Sequence, residues 1–441
     1  MPRARFVAVG AILVALATLA GVARPASHED AVSVRVNLRA PKQAIDGFGT
    51  SVRVWSDPHV PNVATSPIPA AAQDAILTAL YRRLGLTRAR PVLDPGIQKQ
   101  LGGPFDFSGK LGEAPIAYVK QAKPYGLRTV FPGPVYLEDW MTPSDPDAYV
   151  AWAMAVLRRW RQGGVELALY APLNEPEIAR DFPAEWMRQV VRKLGPRMRA
   201  EGFKTMLVVP DDENPDSAHE RATAILADPV ARRYVGALAY HIYKGDPDGW
   251  VRMRELAARY QLPVWMTEYA SGNYRDWDAS LDWAIRMHTL LTAGGVSAVD
   301  YLWGFFGKWV RTDTLISMDF DGGSYRGFTP MPTYWITGQY SRFVRPGYVR
   351  VGAKVTSAEG VLVSAYTGSK RVIVVATNPG SATRRLRVAV AGGVLRGAVK
   401  PVRSSATEQW RTLGPLTLRG GSFTATLPPG SITTFVATRR S

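Results

Sequence analysis

At 441 residues the chain is too long for one ordinary core and long enough for a full barrel plus one small domain. It has no cysteine, which excludes disulfides, thiol nucleophiles, zinc–thiolate sites and a lipid anchor on an N-terminal Cys. The formal charge of +17 is uneven: from Arg345 to Ser441 fifteen Lys and Arg face only Glu359 and Glu408, so the rest is close to balance.

The first 23 residues read as an export signal. Met1 to Arg5 is basic, Phe6 to Val22 is nearly all apolar, and Gly21-Val22-Ala23 supplies the small residues that a signal peptidase requires. That apolar run is at the short end for a membrane span. Cleavage is therefore expected, with secretion to an extracellular or periplasmic space and no stable membrane insertion afterwards. Val32 to Val36 then alternates like a strand.

Eight apolar segments follow with amphipathic helical patterns between them, the sign of βα units around a parallel sheet. Strands are expected near Gly47–Val54, Leu86–Leu93, Leu127–Gly133, Glu166–Leu173, Thr205–Pro210, Val235–Tyr243, Pro263–Tyr269 and Val299–Gly304. Helices are expected at Ala70–Leu84, Ala148–Gln162, Ala184–Ala200 and Leu281–Ala293. This count and length predict a (β/α)8 barrel over residues 45–343. After Arg345-Pro346-Gly347 short alternating stretches such as Val361 to Tyr366 and Arg371 to Ala376 appear, punctuated by Gly, Pro and Asn. They predict an antiparallel β-sandwich made of residues 344–441 together with 31–44.

In such a barrel, reactive groups sit at the C-terminal ends of strands. That filter leaves Asn174-Glu175 after the fourth strand and Glu268 on the seventh. Two carboxylates facing each other across a barrel mouth suit glycoside cleavage, one as acid/base and one as nucleophile. Asn174 is placed to grip a sugar hydroxyl. His241 and Tyr243 on the sixth strand are candidates to hydrogen-bond the nucleophile or the substrate. On the second strand Arg88 and Arg90 share a face, since residues two apart point the same way. One of them is expected to hold the nucleophile ionised, Arg88 first and Arg90 in reserve. Trp303 and Trp309, with Phe305 and Phe306, offer aromatic faces for sugar rings or for packing, and Trp140 follows the third strand.

Taken in order, these segments resemble glycoside hydrolase family 30. The likeness is carried by Ile45-Asp46-Gly47-Phe48-Gly49-Thr50-Ser51, Trp140-Met141, Leu173-Asn174-Glu175-Pro176, His241-Ile242-Tyr243 and Trp265-Met266-Thr267-Glu268. The most specific segment is Tyr340-Ser341-Arg342-Phe343-Val344-Arg345-Pro346-Gly347. The resemblance implies a retaining double displacement on a β-linked glycan, with Glu268 as nucleophile, Glu175 as acid/base and no metal or organic cofactor. One departure stands after the third strand, where Pro132-Gly133-Pro134-Val135-Tyr136 replaces the family's Trp-Ser-Pro-Pro-like turn. Lys308, Trp309 and Arg311 lie where glucuronoxylan-cleaving members read an acidic side group. Two other readings differ in class: a glycan-binding barrel without catalysis, and an adhesin that takes anionic polysaccharide on its basic β-domain. No nucleic-acid partner is expected, since the charge comes with no recognition motif.

Overall fold

The structure is a computed structural model describing residues 32–53, 55, 68–178, 182–307, 312–321, 324–356 and 360–440. The export segment, Lys308, Trp309 and Arg311 lie outside the described residues. No helix among those described is long and apolar enough to cross a membrane.

Strand β1 (Val32–Ala44) is followed by the barrel strands β2 (Gly47–Val52), β3 (Arg88–Leu93), β4 (Thr129–Val130), β5 (Gly133–Pro134), β6 (Leu169–Tyr170), β7 (Met206–Asp212), β8 (Val235–His241), β9 (Val264–Glu268) and β10 (Ala298–Gly307). The parallel path runs β4-β3-β2-β10-β9-β8-β7-β6, with β5 beside β3. Between the two ends of that path, the Ala171 amide donates to Pro132 and the Asn174 amide to Pro134, both at 3.0 Å. Eight strand positions thus make a nearly closed barrel. Its interior is packed by Phe131, Ala171, Val208, Ala237, Ala239, Trp265 and Ala298.

Around it stand α1 (Ala70–Leu77), α2 (Glu113–Ala122), α3 (Pro146–Gln162), α4 (Ala184–Ala200), α5 (Pro215–Ala227), α6 (Pro247–Arg259), α7 (Trp277–Thr292) and α8 (Pro332–Ser341). Their starts are written in the sequence. Asp145, Asn214, Asp246 and Asp276 each accept backbone N–H groups of the first turn, and three of them are followed by a proline that needs no such bond. Beyond the eight expected strands stands β11 (Thr314–Asp321), which extends the sheet beside β10 and pairs with β12 (Ser324–Pro330). The apolar run Thr314 to Met318 is buried, and burial makes it a strand.

The C-terminal strands β13 (Val349–Val355), β14 (Leu362–Thr367), β15 (Arg371–Asn378), β16 (Arg384–Ala391), β17 (Leu395–Ser405), β18 (Glu408–Thr412), β19 (Ser422–Leu427) and β20 (Ser431–Arg439) join β1 in one sheet, ordered β18-β17-β20-β15-β14-β13-β1-β16-β19. Phe423 on the edge strand β19 lies 5.1 Å from Phe435 on β20, near the far edge. The sheet therefore folds over into two layers around its own core of Val34, Val36, Val374, Val388 and Phe435. The fold is mostly antiparallel, but β1 runs parallel to β16. Tyr366, Ile373 and Ile432 face the other way and join the main barrel core, so the strands carrying them are buried on both faces.

Trp410 wedges this domain onto the barrel. Its indole donates to the Trp335 carbonyl at 2.8 Å, and its ring lies over Gly338 of α8, where a Cβ would come within 2.1 Å. Gly338→Ala is expected to cost about 1–3 kcal/mol in urea unfolding, the usual range for overpacking. Gly414→Ala, where a methyl meets nothing within 4 Å, serves as the control. Equal stability of the two variants would contradict this packing.

Candidate active site

All the groups that meet at the barrel mouth come from strand ends. Arg90, buried on β3, is the centre of the arrangement. Its Nε donates to Ser51 Oγ at 3.0 Å, and Nη1 donates to Asn174 Oδ1 at 2.6 Å and Asp211 Oδ2 at 2.8 Å. Its Nη2 is in direct contact with Glu268 Oε2. On its other oxygen Glu268 accepts from the Tyr243 hydroxyl at 3.0 Å. Glu175 lies opposite, with Oε1 2.8 Å from His241 Nδ1 and Oε2 3.3 Å from the Asn174 amide nitrogen. Oxygens of the two glutamates and a nitrogen of His241 lie within 4.8 Å of one another.

Each partner's protonation follows from its surroundings. Asp211 is wholly buried, which alone would raise its pKa, but Arg90, the nearby His241 ring and the hydrogen bond from Thr267 outweigh that and hold it below the usual carboxylate range. Burial pushes the His241 pKa down; its contacts with Asp211 and Glu175 push harder, and the net shift is upward. Tyr243 is held neutral chiefly by burial, so it stays a donor to Glu268. Glu175 and Asp211 both sit at positive φ, 46° and 67°, and the Glu175 amide donates to the Asp211 carbonyl at 2.9 Å. Non-glycine residues hold that conformation only where the surroundings impose it.

The mouth opens into a cleft of 540 Å³ lined by both glutamates, Asn174, Arg90, Trp303, Leu302, Val135, Tyr136 and the trio Arg53, Asp94 and Lys110. Arg53 bonds Asp94 at 3.0 Å and lies 5.1 Å from the Trp303 ring centre. Tyr136, from the segment that departs from the family turn, is 55% exposed at the rim. Glu175, His241 and Glu268 have donor types that suit a divalent cation. However, Arg90 already gives Glu268 its positive partner, and a cation there would stand beside a buried guanidinium.

Against known proteins, no family model matches the chain. It is 27% identical over 288 residues to glucuronoxylanase XynC of Bacillus subtilis, covering 63% of this chain and 63% of that relative's length. Its fold matches a GH30 endoxylanase from Clostridium papyrosolvens with a TM-score of 0.73 at 23% identity, over 92% of this chain and all of that one. The endo-β1,6-glucanase BT3312 matches with a TM-score of 0.72 at 16% identity, over 92% of this chain and 94% of that one. The chain is thus similar in sequence to a glucuronoxylanase and has the fold of glycoside hydrolase family 30 enzymes of known structure.

In this chain Glu175, Glu268, Asn174, His241, Tyr243 and Arg90 come together as one network, and Trp303 lines its cleft. Two expectations need correction. Arg88 does not reach Glu268: it is fully buried one layer lower, bonded to Asp300 at 2.9 Å and stacked 3.9 Å from the Trp265 ring centre. Two residues along a strand are about 6.6 Å, so sharing a face still puts Arg88 and Arg90 at different depths. Gly49 fits this pair, because a Cβ there would lie 2.3 Å from Asp300. Trp140 does not line the cleft; its indole N–H donates to the Gln98 carbonyl at 2.5 Å. Phe305 and Phe306 are core, stacked on Trp55 and Trp303.

Asp211, Ser51 and Thr267 were missed. Asp211 stands at the end of the fifth barrel strand, where the strand-end filter could have found it. Asp211→Asn removes one partner of a buried charge pair and is expected to cost about 3–5 kcal/mol near pH 7. Because the native carboxyl is depressed, its contribution is present above the unfolded pKa of about 3.9 and is lost as pH falls further. Urea unfolding should therefore show the gap to wild type closing below about pH 4. A gap that is unchanged at pH 3, or absent at pH 7, would contradict the assignment.

Proposed function

We propose that the protein is a retaining glycoside hydrolase that cleaves β-linked glycans outside the cytoplasm. The observation carrying this is the pair Glu175 and Glu268, whose oxygens lie within 4.8 Å of one another in unequal surroundings. Carboxyl groups of retaining enzymes stand about 5–5.5 Å apart, whereas inverting ones leave about 6.5–9.5 Å for a water. Glu268, in contact with Arg90 and bonded by Tyr243, is the group kept ionised, and it attacks the anomeric carbon. Glu175 has no cation of fixed charge bonded to it. It gives its proton to the leaving oxygen, then takes one from the water that releases the glycosyl-enzyme, while His241 and Asn174 orient it.

Support for a polysaccharide substrate comes from the open cleft with Trp303 and Tyr136 on its walls, and from relatives named as xylan- and glucan-cleaving enzymes. Xylan is the substrate to test first. The basic, apolar and small-residue pattern of residues 1–23 supports export.

The test uses β-linked polysaccharides and aryl β-glycosides. Glu268→Gln should abolish turnover. Glu175→Ala should lose about 10²–10⁴-fold on polysaccharide, less on glycosides with a good leaving group, and added azide should restore turnover by trapping the intermediate as a β-glycosyl azide. Full turnover by Glu268→Gln would overturn the proposal.

A further inference from the structure

At the opposite end of the barrel from the catalytic cleft is a second cavity, of 500 Å³, lined by Tyr81, Arg82, Arg83, Gly85, Arg342, Arg345 and Trp410. Gly85 precedes β3, which places this cavity at the N-terminal end of the strands, whereas Glu175 and Glu268 stand at the C-terminal end. Arg342 and Arg345 belong to the segment Tyr340–Gly347 that links barrel to sheet, a motif that the catalytic network does not use.

Four guanidinium groups line one cavity, and no acidic residue lines it. Such a set repels itself, and buried or half-buried cations are ordinarily paired. Here the electrostatic neighbours of Arg342 are Arg83 and Tyr334, and those of Arg345 are Arg128 and Tyr348; no carboxylate acts on either. Burial and these like charges push both guanidinium pKa values down.

The available hydrogen bonds do not remove the imbalance. Arg345 Nη1 donates to the carbonyls of Gly85 and Ser341, and Arg82 Nη2 to that of Pro124 at 3.5 Å. Arg342 stacks 4.1 Å from the Trp410 ring centre, and its Nη1 is shut off from solvent without a hydrogen-bond partner. Arg83 is exposed and has no partner among the described residues. A buried donor left unpaired is costly, and a pocket that holds one amid net positive charge has the chemistry of an anion site. Guanidinium forks match oxyanions bidentately, and several cations favour a dianion over a monoanion.

We propose that this cavity binds a phosphate group, free or carried on a sugar, through the guanidinium groups of Arg83 and Arg342, with Arg82 and Arg345 completing its positive wall. The volume has room for a phosphorylated monosaccharide as well as for the ion alone. The site is separate from the cleft and does not depend on the reaction proposed there.

Calorimetric titration and thermal unfolding of the full chain test it, using inorganic phosphate, glucose 6-phosphate and glucuronate against chloride at matched ionic strength. Phosphate should bind and, at about ten times its Kd, raise Tm by about 1–2 °C. Tighter binding of glucose 6-phosphate would assign a sugar-borne phosphate, and equal binding the free ion. Arg83→Gln, which removes an exposed side chain, and Arg342→Lys, which keeps the charge but not the fork, should each weaken phosphate at least tenfold. Glycosidase turnover by Arg83→Gln should stay at the wild-type level. No binding beyond chloride, unchanged affinity in both variants, or binding of glucuronate without phosphate would overturn the proposal.

Discussion

A buried arginine must have its charge answered, and at the barrel mouth Arg90 is answered by two carboxylates at once. Asp211 is wholly buried, bonded by Arg90 and Thr267 and faced by His241, so its charge is committed to the structure. Glu268 is partnered by the same guanidinium but also faces the cleft. One cation thus fixes a structural anion and partners a second carboxylate that lines the cleft. The remaining contacts follow from this constraint. Ser51 and Asn174 take further Arg90 donors, Asn174 steadies Glu175, and His241 spans the space from Asp211 to Glu175. Removing the positive charge would leave carboxylates crowded in a volume with little water.

The barrel makes this arrangement possible by stacking polar layers in a narrow interior. Beneath the reactive layer, Arg88 and Asp300 form a second buried pair, closed above and below by Trp265, Phe131 and the absent side chain of Gly49. That pair fills the tube and carries no group into the cleft. The folded sheet domain stiffens the assembly from outside, through Trp410 on α8 and through strands whose second face belongs to the barrel core.

The sequence was most legible where periodicity and position meet. The eight-fold rhythm, the capped helix starts and the strand-end glutamates follow from patterns of 3.6 and 2 residues and from the rule that loops after strands carry chemistry. Depth along a strand was not legible: Arg88 and Arg90 have equal side-chain phase, and only the three-dimensional stagger of the barrel separates them. Asp211 was hidden for a related reason. Its neighbours Arg90, His241 and Thr267 are remote in sequence, and its left-handed backbone is imposed by contacts that no local pattern encodes. Trp140 illustrates the reverse error, since an aromatic near a strand end can spend its polar handle inside the fold. The pair β11–β12 carried no strand signal in the sequence, because its polar and glycine residues outnumber the apolar ones outside Thr314 to Met318.

The most direct test of the central claim, that Glu268 and Glu175 work as a double-displacement pair, is the configuration of the first product. Proton NMR during rapid hydrolysis of a β-linked substrate resolves the two anomers before they interconvert. The account predicts that the β-anomer forms first and the α-anomer grows only with the rate of mutarotation. Initial formation of the α-anomer would contradict it, because a single displacement by water inverts the centre.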